Sequence, residues 1–300
     1  MTKAVSAYAP CHVSTLFVPV ITDSPETTGS LGIGFSIFPG VYTTVKILGY
    51  GSKHVKWLLN GEPVQPENLS TSFTVFKKML EIYGGNVKME ISQWCYLPIG
   101  GGFGVSGASA LSLSLALNEA LELGLSTEEA AMIAHVSEVI NKTGLGDVIS
   151  SLLGGFEIRV KAGGPGHGTV KKWEPELYVS PIIIYFSSIE TRKVLRENTL
   201  TQRISEFGRE LLQEFLKNVS LEKFIAVSRK FTEIIGLCPE EVETVMSKFA
   251  MSSMVMLGNS AFIMVHPEEI HPTISTLREM FPNATIVEAK IDYRGAKVIT

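Results

Sequence analysis

Residues 98–109 read PIGGGFGVSGAS, and the way this stretch folds decides how the rest of the chain is read. Five of the eight residues 100–107 are glycine. Such a run lets the backbone approach a ligand closely and turn through conformations closed to other residues. Small side chains follow, and then ALSLSLAL at 110–117. That run alternates like a strand, but Ala, Leu and Glu favour helix and the segment is too long for an ordinary strand. The pattern predicts a helix over 107–123, buried on most of its surface, with the glycines at its N-terminal end.

A glycine loop that opens a helix is an anion-binding device, because free N–H groups and the helix dipole point the same way. Gly102-x-Gly104-x-x-Gly107 satisfies the dinucleotide fingerprint GxGxxG, which also needs an acidic residue about 20 positions on, after a second strand. Here that interval holds the end of one helix and the start of another. Ser126-Thr127-Glu128-Glu129 is a capping-box signature, opening a helix that runs to about Asn141. A Walker loop needs a Lys after the glycines, and there is none. No Lys or Arg occurs anywhere between Lys88 and Lys142, although six glutamates do. An anion bound here must be held by backbone amides, the helix N-terminus and a metal ion.

Outward from the loop, candidate strands lie at 4–9, 34–38, 43–48, 55–59 and 87–92, with a helix at 71–83. Asn60-Gly61 is a hairpin signal. After the second helix, 154–160 reads as a strand and GGPGHG at 163–168 as a turn. Past Pro175 the texture changes: a strand at 181–187, amphipathic helices at 191–217, 221–235 and 239–251, a strand at 261–265, a helix at 268–281 and a strand at 285–291. A boundary falls near 171–181, dividing the chain into 1–175 and 176–300. The second part reads as an α+β sheet covered by helices on one side.

Bulk properties narrow the function classes. Three hundred residues, 45% apolar and 19% charged, make a packed globular protein of one large or two ordinary domains. The net charge of −4 gives no footprint for nucleic acid or an anionic membrane. Apolar stretches are short, as 13–21 is broken by Pro19, so none spans a bilayer. The start lacks the clean apolar core and small-residue cleavage site of a secretory signal. Cys11, Cys95 and Cys238 are odd in number and form no CxxC, which supports neither a disulfide framework nor a zinc site. Reduced thiols and a cytosolic location are expected; homodimerisation is left open.

Pro98-x-x-x-Gly102-Phe103-Gly104-Val105-Ser106-Gly107-Ala108 resembles the second motif of the GHMP kinases (galacto-, homoserine, mevalonate and phosphomevalonate kinases), usually written PxxxGLGSSA. Ala9-Pro10-Cys11-His12 resembles the first motif, often APGK or APGH, with Cys11 at the glycine position. Met256-Leu257-Gly258-Asn259-Ser260-Ala261 matches the third only loosely. Further blocks resemble the archaeal pantoate kinase branch: APxH near the start, GSLGxG at 29–34, AHxxE at 134–138, TGLGD at 143–147 and GGxExRxxxGGPG at 154–166.

The resemblance implies a two-domain α+β fold, with a ribosomal-protein-S5-like first half and a ferredoxin-like second half. It implies a kinase that uses ATP and Mg²⁺ on a small hydroxy-acid acceptor. Pantoate is the leading acceptor, a mevalonate-type acid is the rival, and an inactive ligand sensor is the non-enzyme rival. Pro98, Gly100, Gly101, Gly102, Gly104, Ser106, Gly107 and Ala108 would form the nucleotide site. Ser106 and Glu138 would ligate the metal, though a capping serine and a solvent-facing glutamate are the plain alternatives. Asp147 would serve the acceptor hydroxyl as base or orienting group; otherwise it is a helix N-cap. His12 would bond the acceptor or Asp147, or be a structural histidine. Ser30, Gly32 and Gly34 would form a second glycine-rich turn lining the acceptor pocket. Arg159 would take the acceptor carboxylate bidentately, or form an ion pair.

Overall fold

Two long antiparallel strands, β1 (Ala4–Val20) and β2 (Gly29–Tyr50), form the spine of the first sheet. The sequence pattern marks only 4–9 of the first, but the strand continues through Pro10. The register slips between Ala9 and Cys11, so the residue without an N–H falls where the ladder is already interrupted. The two segments expected at 34–38 and 43–48 are likewise one strand. Gly40 lets it pass the bulge, since a Cβ there would sit 2.6 Å from Pro10 Cα.

The computed structural model describes residues 3–52, 54–188 and 198–299. After β2 come β3 (His54–Leu59) and β4 (Glu62–Pro63), joined by a turn with Asn60 and Gly61 both at positive φ, as that dipeptide predicts. Then follow α1 (Ser70–Tyr83), β5 (Val87–Cys95), α2 (Val105–Ala120), α3 (Thr127–Asn141), α4 (Asp147–Leu153), β6 (Phe156–Lys161) and β7 (Thr169–Trp173). Strand β5 alternates strictly, with Val87, Met89, Ile91 and Gln93 turned inward. Helix α2 is the buried centre, as expected. Its serines are satisfied: Ser114 donates to the Ala130 carbonyl at 2.5 Å, and Ser112 pairs with Thr43 at 2.7 Å. The capping box of α3 is present with both bonds, Glu129 N–H to Ser126 Oγ and Ser126 N–H to Glu129 Oε2.

The second sheet contains β8 (Ser180–Ser187), β9 (Ser252–Met254), β10 (Asn259–Val265) and β11 (Thr285–Glu288), in the order β11-β8-β10-β9, all antiparallel. Helices α5 (Asn198–Lys217), α6 (Leu221–Ile235) and α7 (Glu240–Lys248) lie between β8 and β9, and α8 (Ile270–Met280) lies between β10 and β11. This is the βαββαβ arrangement of a ferredoxin-like unit with extra helices. The first seven residues of the helix expected at 191–217 lie outside the described residues. Among the described residues no helix is long and apolar enough to cross a membrane.

The link between β7 and β8 runs over 174–179, and the chain later returns from the second sheet to the first. The strand expected at 285–291 divides at the buried Ala289, whose N–H bonds Pro181 O. Residues before it stay in the second sheet. Strand β12 (Lys290–Ile291) pairs with β2, and β13 (Lys297–Ile299) pairs with β1. Between them, Asp292 is 3% exposed and accepts from Tyr8 Oη at 2.9 Å and from the N–H groups of Arg294 and Gly295. Its backbone bonds both Ser36 and Gly155, which ties this return to the start of β6.

Asp292→Ala leaves those three donors without their acceptor, at on the order of 1–3 kcal/mol for a buried orphan. Denaturant unfolding should show a loss of about that size, and Asp292→Asn, which keeps an accepting oxygen, should lose less.

Candidate active site

The glycine loop enters α2 through three left-handed residues, Gly100, Gly102 and Gly104, with φ of 85°, 84° and 61°. Gly104 is the N-cap and no side chain caps the helix, so the first-turn N–H groups of Val105, Ser106 and Gly107 meet no side-chain acceptor. Ala108 is different. It is fully buried and its N–H bonds Gly104 O, so it serves by keeping the helix start uncrowded. Pro98 and Gly100 lie on the half-exposed approach, and Gly101 is buried beneath Phe103. The loop is pinned from behind. His12 N–H bonds Phe103 O at 2.9 Å, and a Cβ on Gly102 would lie 2.8 Å from Met256 O. The weakly matched segment 256–261 thus begins against the glycine loop.

At the first turn of α2 two acids converge. Glu138, on α3, is 1% exposed, and its Oε2 has no hydrogen-bond partner. Thr143 reaches its Oε1 at 3.4 Å, and the Ser106 hydroxyl stands beside it, bonded to Thr71 at 3.2 Å. Burial pushes the Glu138 carboxyl well above the usual range, and the charge of Asp147 adds to the shift. Asp147 opens α4. A Cβ placed on Gly144 would lie 2.6 Å from Glu138 Oε2 and 2.7 Å from Asp147 Oδ2, so the TGLGD turn leaves a space that both carboxylates face. Glu138 is not solvent-facing, and Asp147 does not cap its own helix, whose N-cap is Gly146.

His12 sits beyond Asp147, fully buried, with Nδ1 2.9 Å from Asp147 Oδ1 and Nε2 2.9 Å from Glu157 Oε1. Burial alone draws the imidazole down, the hydrogen bonds to both carboxylates raise it, and the net shift is upward. Arg159 continues the row at 1% exposure, 3.6 Å from Glu157 Oε1. It donates to Ser14 Oγ at 3.1 Å, and to Ser150 Oγ and Leu16 O at 3.4 Å, while its Nε has no partner. Gly32 pairs with Arg159 across the β2–β6 ladder. Ser30 Oγ and Arg159 Nη1 come together at Gly146, where a Cβ would lie 2.5 and 2.7 Å from them.

The residues singled out from the sequence therefore form one row from the glycine loop to the β2–β6 ladder. Glu157 was not among them. Its signal lies in FEIRV, where Glu157 and Arg159 occupy alternate positions of an apolar strand and so share a face. His135 of the AHxxE block carried no assignment; it is buried, with Nε2 on Thr28 O at 2.9 Å.

The profile of the GHMP kinases N terminal domain matches residues 70–155, from α1 through the glycine loop to the start of β6. The chain is 35% identical to the pantoate kinase of Thermococcus kodakarensis, covering 92% of each chain. It is 33% identical to the pantoate kinase of Methanocaldococcus jannaschii, covering 90% of this chain and 96% of that one. A solved structure described as a phosphotransferase related to the CoA biosynthesis pathway superposes with a TM-score of 0.90 at 32% identity, covering 99% of both chains. The chain belongs to the GHMP kinase family. Its place within that family is among the archaeal pantoate kinases.

Gly144→Ala places a methyl group between the two carboxylates. Because a displacement of about 1 Å in such a site costs ~100-fold, phosphotransfer should fall by that order with little change in Tm. Wild-type turnover in this variant would show that Glu138 and Asp147 do not act across that space.

Proposed function

We propose that the protein transfers the γ-phosphoryl group of ATP to the primary alcohol of (R)-pantoate, giving 4-phosphopantoate for coenzyme A synthesis. One observation carries this reading: an uncapped helix start, Glu138 with Ser106, and Asp147 with His12 converge at one place. The similarity to pantoate kinases over nine-tenths of the chain supports the choice of acceptor.

Phosphoryl transfer asks for positioning and charge neutralisation more than for covalent chemistry. The open amides of residues 105–107 suit the nucleotide phosphates. A buried carboxylate oxygen without a partner, beside a hydroxyl, is a hard-oxygen set that fits Mg²⁺, which takes one or two protein ligands along with phosphate oxygens. Glu138 and Ser106 would hold it, and bound there it would offset charge on the phosphates.

Asp147 has one oxygen engaged by His12, and its side chain is 21% exposed, so the other oxygen can meet an alcohol. Oriented this way, the alcohol oxygen forms the new bond to the γ-phosphorus as the bond to the β,γ-bridging oxygen breaks. The hydroxyl proton passes to Asp147 and then to solvent. Ser30 and Arg159 suit the acceptor's carboxylate at the Gly146 end of the row.

Two tests follow. Glu138→Ala should abolish turnover while circular dichroism shows a folded protein; near-normal kcat with unchanged Mg²⁺ dependence would remove Glu138 as a ligand. A panel of hydroxy acids assayed with ATP and Mg²⁺ should single out pantoate, whereas phosphorylation of mevalonate but not pantoate would overturn the acceptor. Binding without turnover of any acid would favour a sensor. In the same assay Arg159→Lys should lower kcat/KM roughly ten- to hundredfold, mainly through the pantoate KM, since a charge-assisted bond contributes ~1.5–3 kcal/mol.

A further inference from the structure

Both ring nitrogens of His12 face carboxylate oxygens at 2.9 Å, Asp147 on α4 and Glu157 on β6. A neutral imidazole has one N–H and one lone pair, and a carboxylate only accepts. With both carboxyls ionised, two contacts of hydrogen-bond length require a ring that donates from both nitrogens. His12 and Glu157 are fully buried, so water does not substitute at either position.

We propose that Glu157 is a positioning residue: it holds His12 as a two-donor imidazolium, and His12 thereby fixes Asp147 with one oxygen bonded and the other free for the acceptor alcohol. This rests on the kinase reading and adds to it a residue that touches neither substrate. The side chain of Glu157 has no exposure, and its Oε2 has no partner. An ion pair with Arg159 does not explain its placement. Arg159 Nη1 is 3.6 Å from Oε1, and the ring nitrogen is nearer at 2.9 Å.

The packing is built around the histidine contact. A Cβ on Gly34 would lie 2.6 Å from His12 Nε2 and 2.8 Å from Glu157 Oε1, so the pair occupies room that only glycine leaves on β2. The titratable and charged groups around the ring are Asp147 from α4, Glu157 and Arg159 from β6, and the buried thiol of Cys11 on β1. Glu138 on α3 stands behind Asp147. Burial draws the ring down and Arg159 opposes its charge, yet the two carboxylates prevail and the net shift is upward.

The experiment compares Glu157→Gln, His12→Gln and the double variant with ATP, Mg²⁺ and pantoate. Glutamine keeps the volume and one accepting oxygen, so a neutral hydrogen bond survives while the charge is lost. Glu157→Gln should lower kcat by about tenfold or more, in the range of a lost proton-handling contribution, with the ATP KM within about twofold. It should also move the alkaline limb of the kcat–pH profile to lower pH, because the ring loses its second proton sooner. In the His12→Gln background the same substitution should change kcat by less than about twofold, as expected for residues acting as a unit. A wild-type kcat and pH profile in Glu157→Gln, or an equal loss in both backgrounds, overturns the proposal. If Glu157→Gln does not fold, nitrogen NMR of histidine-labelled wild-type protein decides. His12, assigned by its absence in His12→Gln, must show both ring nitrogens protonated at neutral pH, and a neutral ring overturns the proposal. That readout needs no turnover, so the positioning role and the kinase reading can fail separately.

Discussion

The glycine loop brings no cationic side chain of its own to a charged ligand, because no Lys or Arg lies between Lys88 and Lys142. Most other features of the site answer to that constraint. Amides become a binding surface only if no side chain caps them, and Gly104 in the left-handed region opens α2 without one. The helix whose dipole is used must be held rigidly, and α2 lies in the core with its serines bonded inward. The negative charge that gathers there, on Glu138 and Asp147, then needs a cation from elsewhere. On the acceptor side His12 and Arg159 supply it from β1 and β6.

The second sheet takes part in the same task. Residues 255–258 pack on the loop from behind, and Tyr185 of β8 lies with its ring 6.4 Å from that of Phe103. An aromatic cluster joins the two sheets: Phe35 on β2 is 5.1 Å from Phe262 on β10, 6.1 Å from Phe224 on α6 and 5.6 Å from Phe156 on β6. Such pairs contribute about 0.5–1.5 kcal/mol each beyond their burial. Phe156 directly precedes Glu157, so the cluster also anchors the strand that carries the buried charges.

Local chemistry was legible where one segment decides the outcome. The capping box of α3, the Asn60-Gly61 turn and the helical reading of 107–123 depend on neighbours in sequence. Ser106, Glu138 and Asp147 were marked by motif and lie together. What could not be read depends on distant partners. That β1 runs through Pro10 is set by the slipped register with β2, and the division at Ala289 is set by two different sheets. Glu157 looked like one more strand residue because its significance lies in His12, far away in sequence. Arg159 reads from the sequence as an acceptor-carboxylate ligand or an ion-pair partner, and its contacts to Ser14 on β1 and Ser150 on α4 depend on elements the local sequence does not reveal. The loose match at 256–261 understated a segment whose backbone, more than its side chains, packs on the loop.

Strands β12 and β13 complete the first sheet only after the second has been passed through. During synthesis a ribosome releases the residues of the phosphate loop long before those of Asp292 and the strands around it. The nascent chain therefore carries β1 with one ladder unpaired and the Gly154–Gly155 corner without its backbone partner until residues 290–299 have emerged. A chain interrupted before residue 290 would hold Ser106, Glu138 and Asp147 yet lack the strands that pair with β1 and β2 to complete the first sheet.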